Sequence, residues 1–547
     1  MAGAVLTPAP WRLITDTALW SENWPGVPRP ARGEIRARFT NCALCPAGCA
    51  VRARCVGEQP VLLTGVSGGL CPFGLSAHHL PYHPARLRKG PVAEATAAVA
   101  GKAGQGIAVL DLNPGRTASW SYRRAMGAMK GAYLTPQAEP FAYDLSAART
   151  VLSIGTPLLD GWGTPSKVNA ARPNFRLIQA EAMESRTAML AEQWIPIAPG
   201  SESAFAKSIP QLEAARELSL VLGEGPEIAE INQRIGAFGK TVFGRSEAVV
   251  PEAWTRDAAA VTAFADVPDH SIAVLLIDET PATSYIPWHR IEQKLVRDNP
   301  VVVTFAAHRG GYARHAQFAL PTAMYPEVLD DVAPAADAIR PVFRLAAPLV
   351  ATPTGVVSLA EFVGTLSGVP VANVLRERAD AIHHAGQGTL HTYADRQRTA
   401  VKELTADAFW KGLNEGGEWT WEDAKPRAAV MNRAEVRPVE PVESPADLPL
   451  VAISEPHYAG LVSPLLTKLY QESNLLLAPN RIALHPKDAR DAGVVDGGRA
   501  MLQTRLGKCA VEVTVDAAVP AGAVQVGSAP GIQDVCGHAA RAKVVSV

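Results

Sequence analysis

The sequence predicts an α/β protein in which doubly wound α/β domains lie between a cysteine-rich N-terminal module and an all-β C-terminal domain. Three observations predict this class. Apolar runs alternate with helical patterns in the middle of the chain, five of the seven cysteines fall within the first 71 residues, and short strands punctuated by glycine follow near the end. A chain of 547 residues is too long for one hydrophobic core, so several packed units are expected.

Composition and charge narrow the class of protein. The hydrophobic fraction of 48% and the charged fraction of 19% are typical of globular chains. A formal net charge of -1 does not favour a protein that holds nucleic acid by neutralising phosphates. No apolar run approaches the roughly 20 residues of a membrane-spanning helix. The N-terminus lacks the pattern of a secretory signal and a twin-arginine pair, which predicts a cytoplasmic chain or one exported with a partner.

The middle of the chain alternates between two kinds of pattern. The predicted strands are almost continuously apolar, as parallel strands covered on both faces should be. They are "GIAVLDL", "TVLSIG", "FRLIQAEA", "LSLVLGEG", "IAVLLID" and "PVVVTF". Between them lie helical patterns such as "PEIAEINQRIGAFG". The alternation fades after about residue 370, so two Rossmann-like units are predicted before that point.

Changes in composition and sequence pattern along the chain predict five regions. Residues 1–35, rich in Pro and Trp, are an extended arm; residues 36–90 are the cysteine module; residues 91–425 are the α/β body; residues 426–447, dense in Pro and Glu, are a linker; and residues 448–547 are the C-terminal β domain. The last region contains "NRIALHP", "GRAMLQTRLG", "CAVEVTVD" and "GAVQVG". Such short strands with Gly and Asp-Gly turns predict a small β-barrel or sandwich.

The segment "FTNCALCPAGCAVRARC" begins the cysteine module. It places Cys42, Cys45 and Cys49 on one short loop, and Cys71 follows in "GGLCPFG". Cubane iron–sulfur clusters need four thiolates, commonly three from one loop and one from elsewhere in the chain. Gly48 suits a loop whose backbone must curl around a cluster and direct amides towards its sulfurs. We therefore predict that Cys42, Cys45, Cys49 and Cys71 hold one 4Fe-4S cluster.

Other interpretations of the cysteines are weaker. Four cysteines also satisfy structural zinc, but zinc sites usually consist of two separated knuckles, and the second knuckle is missing here. Cys55 could replace Cys71 as a ligand. However, Cys55 lies in the alternating segment "AVRARCVGE", which predicts a strand, so a packed thiol is the better interpretation. Cys509 and Cys536 stand alone in the β domain and are interpreted in the same way.

Two further patterns resemble known kinds of site. The segment "GAFGKT" ends like a phosphate-binding loop, but Arg234 occupies the position of its first glycine and the segment ends a helix instead of following a strand. His78, His79 and His83 lie near the cysteine module, where packing or surface roles are favoured over metal ligation. Neither pattern predicts a site.

Over nearly its whole length the chain resembles the molybdopterin oxidoreductases of the dimethyl-sulfoxide-reductase type. The resemblance runs through these segments in order: "GGLCPFGLSAHHLPYHPARLRKGPV", "AARTVLSIGTPLLDGW", "RLIQAEAMESRTAMLAEQWIPIAPGSESAFA", "AVLLIDETPATSYIP", "AQFALPTAMYPEVLDD" and "NRIALHPKDARDAGVVDGGRAMLQTRLGKCAVEVTV". It implies a fold with an N-terminal iron–sulfur module, two α/β units and a C-terminal β-barrel domain.

The departures from that family concern the pterin site. Phe73 stands where active members usually carry Lys or Arg between cluster and pterin. No cysteine follows until the β domain, and only Thr135 and Ser146 stand near the usual position of the metal ligand. Thr280-Pro281 replaces the Asn-Pro that commonly faces the pterin nucleotide. These departures imply a degraded pterin site without molybdopterin.

The segments "ALWSENWPGVPRPARGEIRARFTNCALCPAGC" and "SPLLTKLYQESNLLLAPNRIALHP" resemble a non-catalytic branch of the family, found in membrane quinone reductase complexes and alternative complex III. This resemblance implies an electron-transfer and scaffold subunit of a quinone-linked respiratory complex, with no catalytic side chain. The implied partners are a ferredoxin-like iron–sulfur subunit, a polytopic quinone-binding membrane subunit and a multihaem cytochrome c. The implied location is the periplasmic face of the inner membrane, reached through those partners without a transmembrane segment of its own.

Three alternatives remain at this point. One is a catalytic molybdenum or tungsten bis-pterin oxidoreductase acting on a small oxyanion or sulfur compound. Another is a zinc-stabilised binding module without a redox role. The third is the degraded domain of respiratory complex I, whose additional N-terminal cysteine clusters this sequence lacks.

Overall fold

The structure is a computed structural model. It describes residues 33–66, 69–83, 85–102, 104–137, 141–209, 217–280, 284–429, 447–454, 480–527, 530–537 and 540–547. Most of the predicted arm and linker, and most of the segment "SPLLTKLYQESNLLLAPNRIALHP", lie outside these residues. Within them, no helix is both long and apolar enough to cross a membrane.

The strands of the described residues follow in chain order. They are β1 Ile35–Asn41, β2 Ala50–Val56, β3 Gln59–Gly65, β4 Ile107–Asp111, β5 Ala132–Thr135, β6 Phe141–Tyr143, β7 Thr150–Ile154, β8 Arg176–Glu181, β9 Gln193–Pro196, β10 Leu220–Leu222, β11 Val242–Gly244, β12 Val261–Ala263, β13 Val274–Asp278, β14 Val301–Ala306, β15 Phe318–Pro321, β16 Asp330–Asp331, β17 Val342–Ala346, β18 Thr389–His391, β19 Arg398–Ala400, β20 Glu418–Thr420, β21 Leu450–Ser454, β22 Arg481–Leu484, β23 Arg499–Thr504, β24 Lys508–Val515, β25 Ala523–Val526 and β26 Arg541–Ser546.

The α-helices are α1 Pro72–Ser76, α2 Val92–Ala100, α3 Thr117–Met129, α4 Pro165–Ala171, α5 Arg186–Leu190, α6 Glu202–Ser208, α7 Pro226–Arg234, α8 Glu252–Thr255, α9 Trp288–Lys294, α10 Leu359–Ser367, α11 Val374–Ala385, α12 Ala406–Asn414, α13 Pro486–Asp491 and α14 Pro530–Gln533. Shorter helical turns cover Ala77–Tyr82, Leu158–Trp162, Arg172–Asn174, Phe264–Asp266, Gly311–Arg314 and Val401–Glu403.

A six-stranded parallel sheet forms the centre of the α/β body. Its strands lie in the order β12-β5-β4-β13-β14-β15. All residues of β13 and β14 are buried, and alternate side chains enter two different cores. Helices α3 and α10 cover one face, and α9 covers the other. The continuous apolar runs therefore have the cause that the sequence predicts, since both faces of the sheet are covered.

A four-stranded parallel sheet, β10-β7-β8-β9, is built from a segment inserted between two strands of the first sheet. Strands β5 and β12, which precede and follow the insertion in the chain, pair directly with each other. A small ladder between β6 and β11 brackets the inserted unit. Two parallel units are thus present, but they are nested along the chain.

A third sheet was not predicted from the sequence. Strands β16-β17-β20-β18-β19 form an antiparallel sheet drawn from residues 330–420, the region where the predicted alternation fades. Its core is packed by α11 and α12 and includes the fully buried Trp419. Several of its strands are only two or three residues long, too short to show a period in the sequence.

The C-terminal strands close into a barrel, β21-β25-β22-β24-β23-β26, around an apolar core. The expected fold class, a mixed α/β body followed by a β-barrel, is therefore confirmed. The limits of the predicted domains stay predictions.

Candidate iron–sulfur site

The cysteine loop connects β1 to β2. The two strands pair up to the register Asn41 with Ala50, so the two ends of the connection 42–49 are held side by side. The amide of Cys42 donates to the carbonyl of Cys49 over 2.9 Å, which continues the ladder into the loop. A hairpin connection thus carries Cys42, Cys45 and Cys49 on a short, anchored path.

Cys71 reaches the same place from a separate segment. It is the N-cap residue of α1, and the amide of Gly74 donates to its Sγ over 3.4 Å. A Cβ at position 74 would lie 2.4 Å from Cδ1 of Leu70 and 3.7 Å from Sγ of Cys42. Gly74 therefore leaves room for the side chain of Leu70, and its nearness to Cys42 shows that the first turn of α1 lies against the cysteine loop.

The four thiols form one electrostatic group. Burial raises the pKa of Cys42 well above its usual range, and Cys45, Cys49 and Cys71 raise it further. Burial and then Cys49 raise the pKa of Cys45, to which Cys71 also contributes. Burial and then Cys71 raise the pKa of Cys49 to about 12. The structure therefore brings Cys42, Cys45, Cys49 and Cys71 close enough for each to oppose the ionisation of its neighbours.

Backbone amides oppose this repulsion. The amide of Leu44 bonds to Cys42 and the amide of Ala47 bonds to Cys45, and each bond lowers the pKa of its thiol. Together with Gly74 at Cys71, these donors face sulfur atoms on both segments. Amide donors to sulfur are the outer contacts by which proteins orient thiolate ligands and tune a bound cluster.

Arg344 of β17 packs against the cysteine loop and donates a hydrogen bond to it. Gly48 adopts φ +58°, and a Cβ there would lie 2.4 Å from Nη1 of Arg344. That nitrogen donates to the carbonyl of Ala47 over 3.2 Å, and Nε of Arg344 bonds to Glu418. The guanidinium also lowers the pKa of Cys49. Glycine at this positive φ lets the guanidinium lie against the loop, a packing reason that differs from the one expected from the sequence.

The other cysteines behave as packed thiols. Cys55 is fully buried in β2, as predicted. Cys536 is fully buried in the barrel, where burial raises the pKa of its thiol to about 12. Sγ of Cys509 accepts from Nδ2 of Asn480 over 2.9 Å.

Within the described ranges, no group of three or more His, Cys, Asp or Glu side chains is placed to hold a metal ion. The grouping of Cys42, Cys45, Cys49 and Cys71 therefore rests on the effects that these thiols have on one another's pKa.

The nearby histidines have packing roles. The rings of His83 and His308 meet edge to face at 5.1 Å, and Nε2 of His308 lies 3.2 Å from the carbonyl of Leu80. Burial lowers the pKa of His83 to about 4 and that of His308 to about 3. Both rings are therefore neutral near pH 7 and join the cysteine module to the end of β14.

Tyr325 is a residue that sequence reasoning missed. It lies in the same buried core as the cysteine loop. Burial raises the pKa of its hydroxyl, and Cys42 and Cys49 raise it further. The segment around it, "AMYPEV", carries no local signal of a site because the contact with the loop spans almost 300 positions of the chain.

The residues that the sequence placed at a former pterin site are occupied by local contacts. Phe73 packs against the core of the cysteine loop. Thr135 donates its hydroxyl to the carbonyl of Gln137 over 2.7 Å. The exposed Ser146 donates to the neighbouring Asp144. Thr280 bonds back to Asp278, and Pro281 lies outside the described residues.

Charged side chains of the protein itself fill the crevice at the carboxyl ends of β4 and β13. Arg116, only 2% exposed, donates to Asp278 over 2.5 Å and to Asp330 over 2.7 Å. Next to it, Arg378 pairs with Asp331, whose carboxylate also accepts from the first amide of α3. Open α/β sheets commonly bind ligands in such a crevice, whereas here an ion-pair network occupies it.

Comparison with known proteins shows which proteins this chain resembles. Residues 468–543, which include most of the barrel, match the family described as the molydopterin dinucleotide binding domain. The chain is 29% identical to the "Menaquinone reductase, molybdopterin-binding-like subunit" of Nitratidesulfovibrio vulgaris. The chain is molybdopterin oxidoreductase-like. The resemblance identified from the sequence is thereby confirmed.

The relatives share only part of their length or little of their sequence with this molybdopterin oxidoreductase-like chain. The match to the menaquinone reductase subunit spans 39% of this chain and 38% of the relative. The solved structure of acetylene hydratase from Pelobacter acetylenicus superposes with a TM-score of 0.57, covering 93% of this chain and 100% of that one at 12% identity. The second comparison shows a shared fold, and the chemistry of this chain has to be argued from its own residues.

Proposed function

We propose that the chain is an electron-transfer and scaffold subunit of a membrane-bound, quinone-linked respiratory complex, and that it holds one 4Fe-4S cluster on Cys42, Cys45, Cys49 and Cys71. One observation carries the proposal. Thiols from two separate segments lie close enough that, after burial, neighbouring thiols raise the pKa values of Cys42, Cys45 and Cys49, and the backbone amides and Arg344 offset this rise only in part. A cationic cluster core supplies the missing positive charge, because metal binding stabilises thiolates.

The segments that carry the cysteines support a cluster over zinc. Cys42, Cys45 and Cys49 lie on the connection between β1 and β2, and Cys71 begins α1. Three thiolates from one loop and one from elsewhere are common in cubane sites, whereas structural zinc sites usually combine two separated knuckles.

The exposure of the four cysteines suggests where electrons enter or leave. Cys42, Cys45 and Cys49 are at most 9% exposed, whereas Cys71 is only partly buried. A bound cluster would carry electrons one at a time. Cys71, at the start of α1, is therefore the side on which a redox partner would approach most closely.

The degraded pterin site supports a role without catalysis. Phe73 offers neither charge nor a hydrogen bond in the position that links cluster and pterin in active relatives. The Arg116 network already satisfies the charged groups of the crevice. No side chain is therefore assigned a catalytic role.

The name of the relative from N. vulgaris guides the proposal about partners, because that protein is a subunit of a menaquinone reductase. By analogy, we assign this chain a ferredoxin-like iron–sulfur subunit, a polytopic quinone-binding subunit and a multihaem cytochrome c as neighbours. We also assign it to the periplasmic face of the inner membrane, as a peripheral subunit.

One observation favours the alternative, a molybdenum or tungsten bis-pterin oxidoreductase acting on a small oxyanion or sulfur compound. The match over residues 468–543 is to a domain named for binding the molybdopterin dinucleotide. Pterin content separates the two proposals: oxidation of the denatured native protein would release a fluorescent pterin from the enzyme and none from the electron-transfer subunit.

The quinone-linked role can be tested on the native complex, extracted in detergent with its partners. We expect the EPR signal of the reduced cluster to appear on addition of a menaquinol, or to disappear on addition of a menaquinone, within turnover time. A complex carrying Cys45→Ser should lack this signal, and one carrying Cys55→Ala should retain it. A wild-type signal that neither quinol nor quinone changes would contradict the role.

A further inference from the structure

The hydroxyl of Tyr325 is a buried polar group without a hydrogen-bond partner in the part of the chain that the structure describes. The side chain is 4% exposed. Buried hydroxyls nearly always find a partner, since an unpaired one loses its bonds to water and gains nothing in return. An orphaned hydroxyl in a native core therefore points to a missing group.

The surroundings of that hydroxyl identify the chemistry of the missing group. Tyr325 belongs to the core formed by the cysteine loop, and the ionisable groups that act on its hydroxyl are Cys42 and Cys49. A phenol beside thiolate sulfur can serve as a donor. The partner is thus an anionic sulfur on the side of Cys42 and Cys49.

We propose that the Tyr325 hydroxyl donates a hydrogen bond to a sulfur of the iron–sulfur cluster, on the side of Cys42 and Cys49, and thereby raises the cluster's reduction potential. This inference rests on the proposed function, because it needs the cluster. The electron that reduces the cluster adds negative charge to its sulfurs. A donor to those sulfurs therefore stabilises the reduced state more than the oxidised state.

Tyr325 would donate from a side chain, unlike the main-chain donors at the site. The bonds to Cys42, Cys45 and Cys71 come from main-chain amides, which no substitution removes cleanly. Tyr325→Phe deletes one oxygen and keeps the ring in the core. The structure thus offers a way to change the potential of the cluster while leaving its ligands in place.

The test is a potentiometric titration of the native complex followed by EPR. In Tyr325→Phe we expect unchanged iron content and a reduction equilibrium constant about tenfold lower, which for one electron is about 59 mV. Tyr133→Phe is the matched control: its ring is also buried, but its hydroxyl bonds to Asp111 in a different core. The control should leave the potential unchanged.

The outcomes distinguish a failure of the proposed function from a failure of this inference alone. A wild-type chain without an iron–sulfur cluster would overturn the proposed function and this inference together. A Tyr325→Phe protein with full iron and the wild-type potential would overturn the inference alone. If the variant fails to fold, uniform replacement of tyrosine by 3-fluorotyrosine, a stronger donor of nearly the same shape, gives a second measurement. The potential should then rise, and an unchanged potential would overturn the inference.

Discussion

The cysteine loop and the crevice of the six-stranded sheet differ in the charged groups that surround their buried ionisable side chains. At the cysteine loop, burial and neighbouring thiols raise the pKa values of Cys42, Cys45 and Cys49. The Arg344 guanidinium, which lowers the pKa of Cys49, bonds to Glu418 and the loop carbonyls. In the crevice, Arg116 lies between Asp278 and Asp330, so each charge has an opposite one in contact. The proposed function assigns a metal cluster to the first region and no organic cofactor to the second.

The largest expected effect is on the first region. Cys45→Ser removes one of four thiolates and leaves the hairpin ladder of β1 and β2 intact. We expect the iron content of the complex to fall by about four atoms per copy of this chain, because a cubane needs four ligands, while the iron of the partner subunits stays. Metal analysis of the purified complex checks this, and full iron occupancy in the variant would exclude Cys45 as a ligand.

A substitution in the crevice should lower the stability of the protein and leave its metal content unchanged. Arg116→Met leaves the buried Asp278 and the partly exposed Asp330 without their shared cation, which should cost about 3–5 kcal/mol. Hydrogen exchange of the amides in β4 and β13 reports the loss locally. Lys411→Met, which breaks an exposed pair with Glu415, is the control and should change stability by about 0.5 kcal/mol or less. A loss below about 1 kcal/mol for Arg116→Met would mean that the network does not hold the crevice closed.

The stability that the contact between His83 and His308 gives to the fold should depend on pH. The folded-state pKa of His83, about 4, and that of His308, about 3, lie below the unfolded value of about 6.5. The unfolded chain therefore binds protons first as pH falls. Stability is complete above about pH 6.5 and is lost below it, by up to about 1.4 kcal/mol per pH unit for each histidine.

Unfolding measured between pH 8 and pH 4.5 checks this dependence. His308→Gln should be less stable at pH 8 and should show a shallower fall in acid. An equal slope in wild type and variant would show that His308 does not titrate in this range.

The smallest effect is expected at the cysteine that lies next to the site without belonging to it. Cys55→Ala removes a fully buried sulfur from β2 and should cost about 1 kcal/mol through a small cavity. Iron content and the EPR signal should stay as in the wild type. Loss of the cluster in Cys55→Ala would instead reassign the fourth ligand from Cys71.

Local patterns in the sequence predicted much of this molecule. The spacing of Cys42, Cys45 and Cys49 predicted a loop, which the structure places on a hairpin. Continuous apolar runs predicted β13 and β14, since strands covered on both faces need no polar positions. Cys55 was recognised as a packed thiol because alternation around it predicted a strand.

What the sequence could not predict depends on contacts between distant segments. The antiparallel sheet joins β16 and β17 to strands more than 40 positions later, and most of its strands are too short to show a period. Tyr325 and Arg116 reach their partners across wide gaps in the chain, and nothing in their own neighbourhoods marks them. Such pairs become visible only when the fold sets them side by side.

The central claim is that the loop holds a cluster while the crevice holds no metal–pterin cofactor. The most direct test is the content of iron, molybdenum, tungsten and zinc in the native complex and in a complex in which Cys45→Ser has been introduced, combined with EPR of the reduced form. We predict a loss of about four irons per chain in the variant, with the loss of one cluster signal, and no molybdenum or tungsten bound to this chain in either. Stoichiometric molybdenum or tungsten, or zinc in place of iron, would contradict the account.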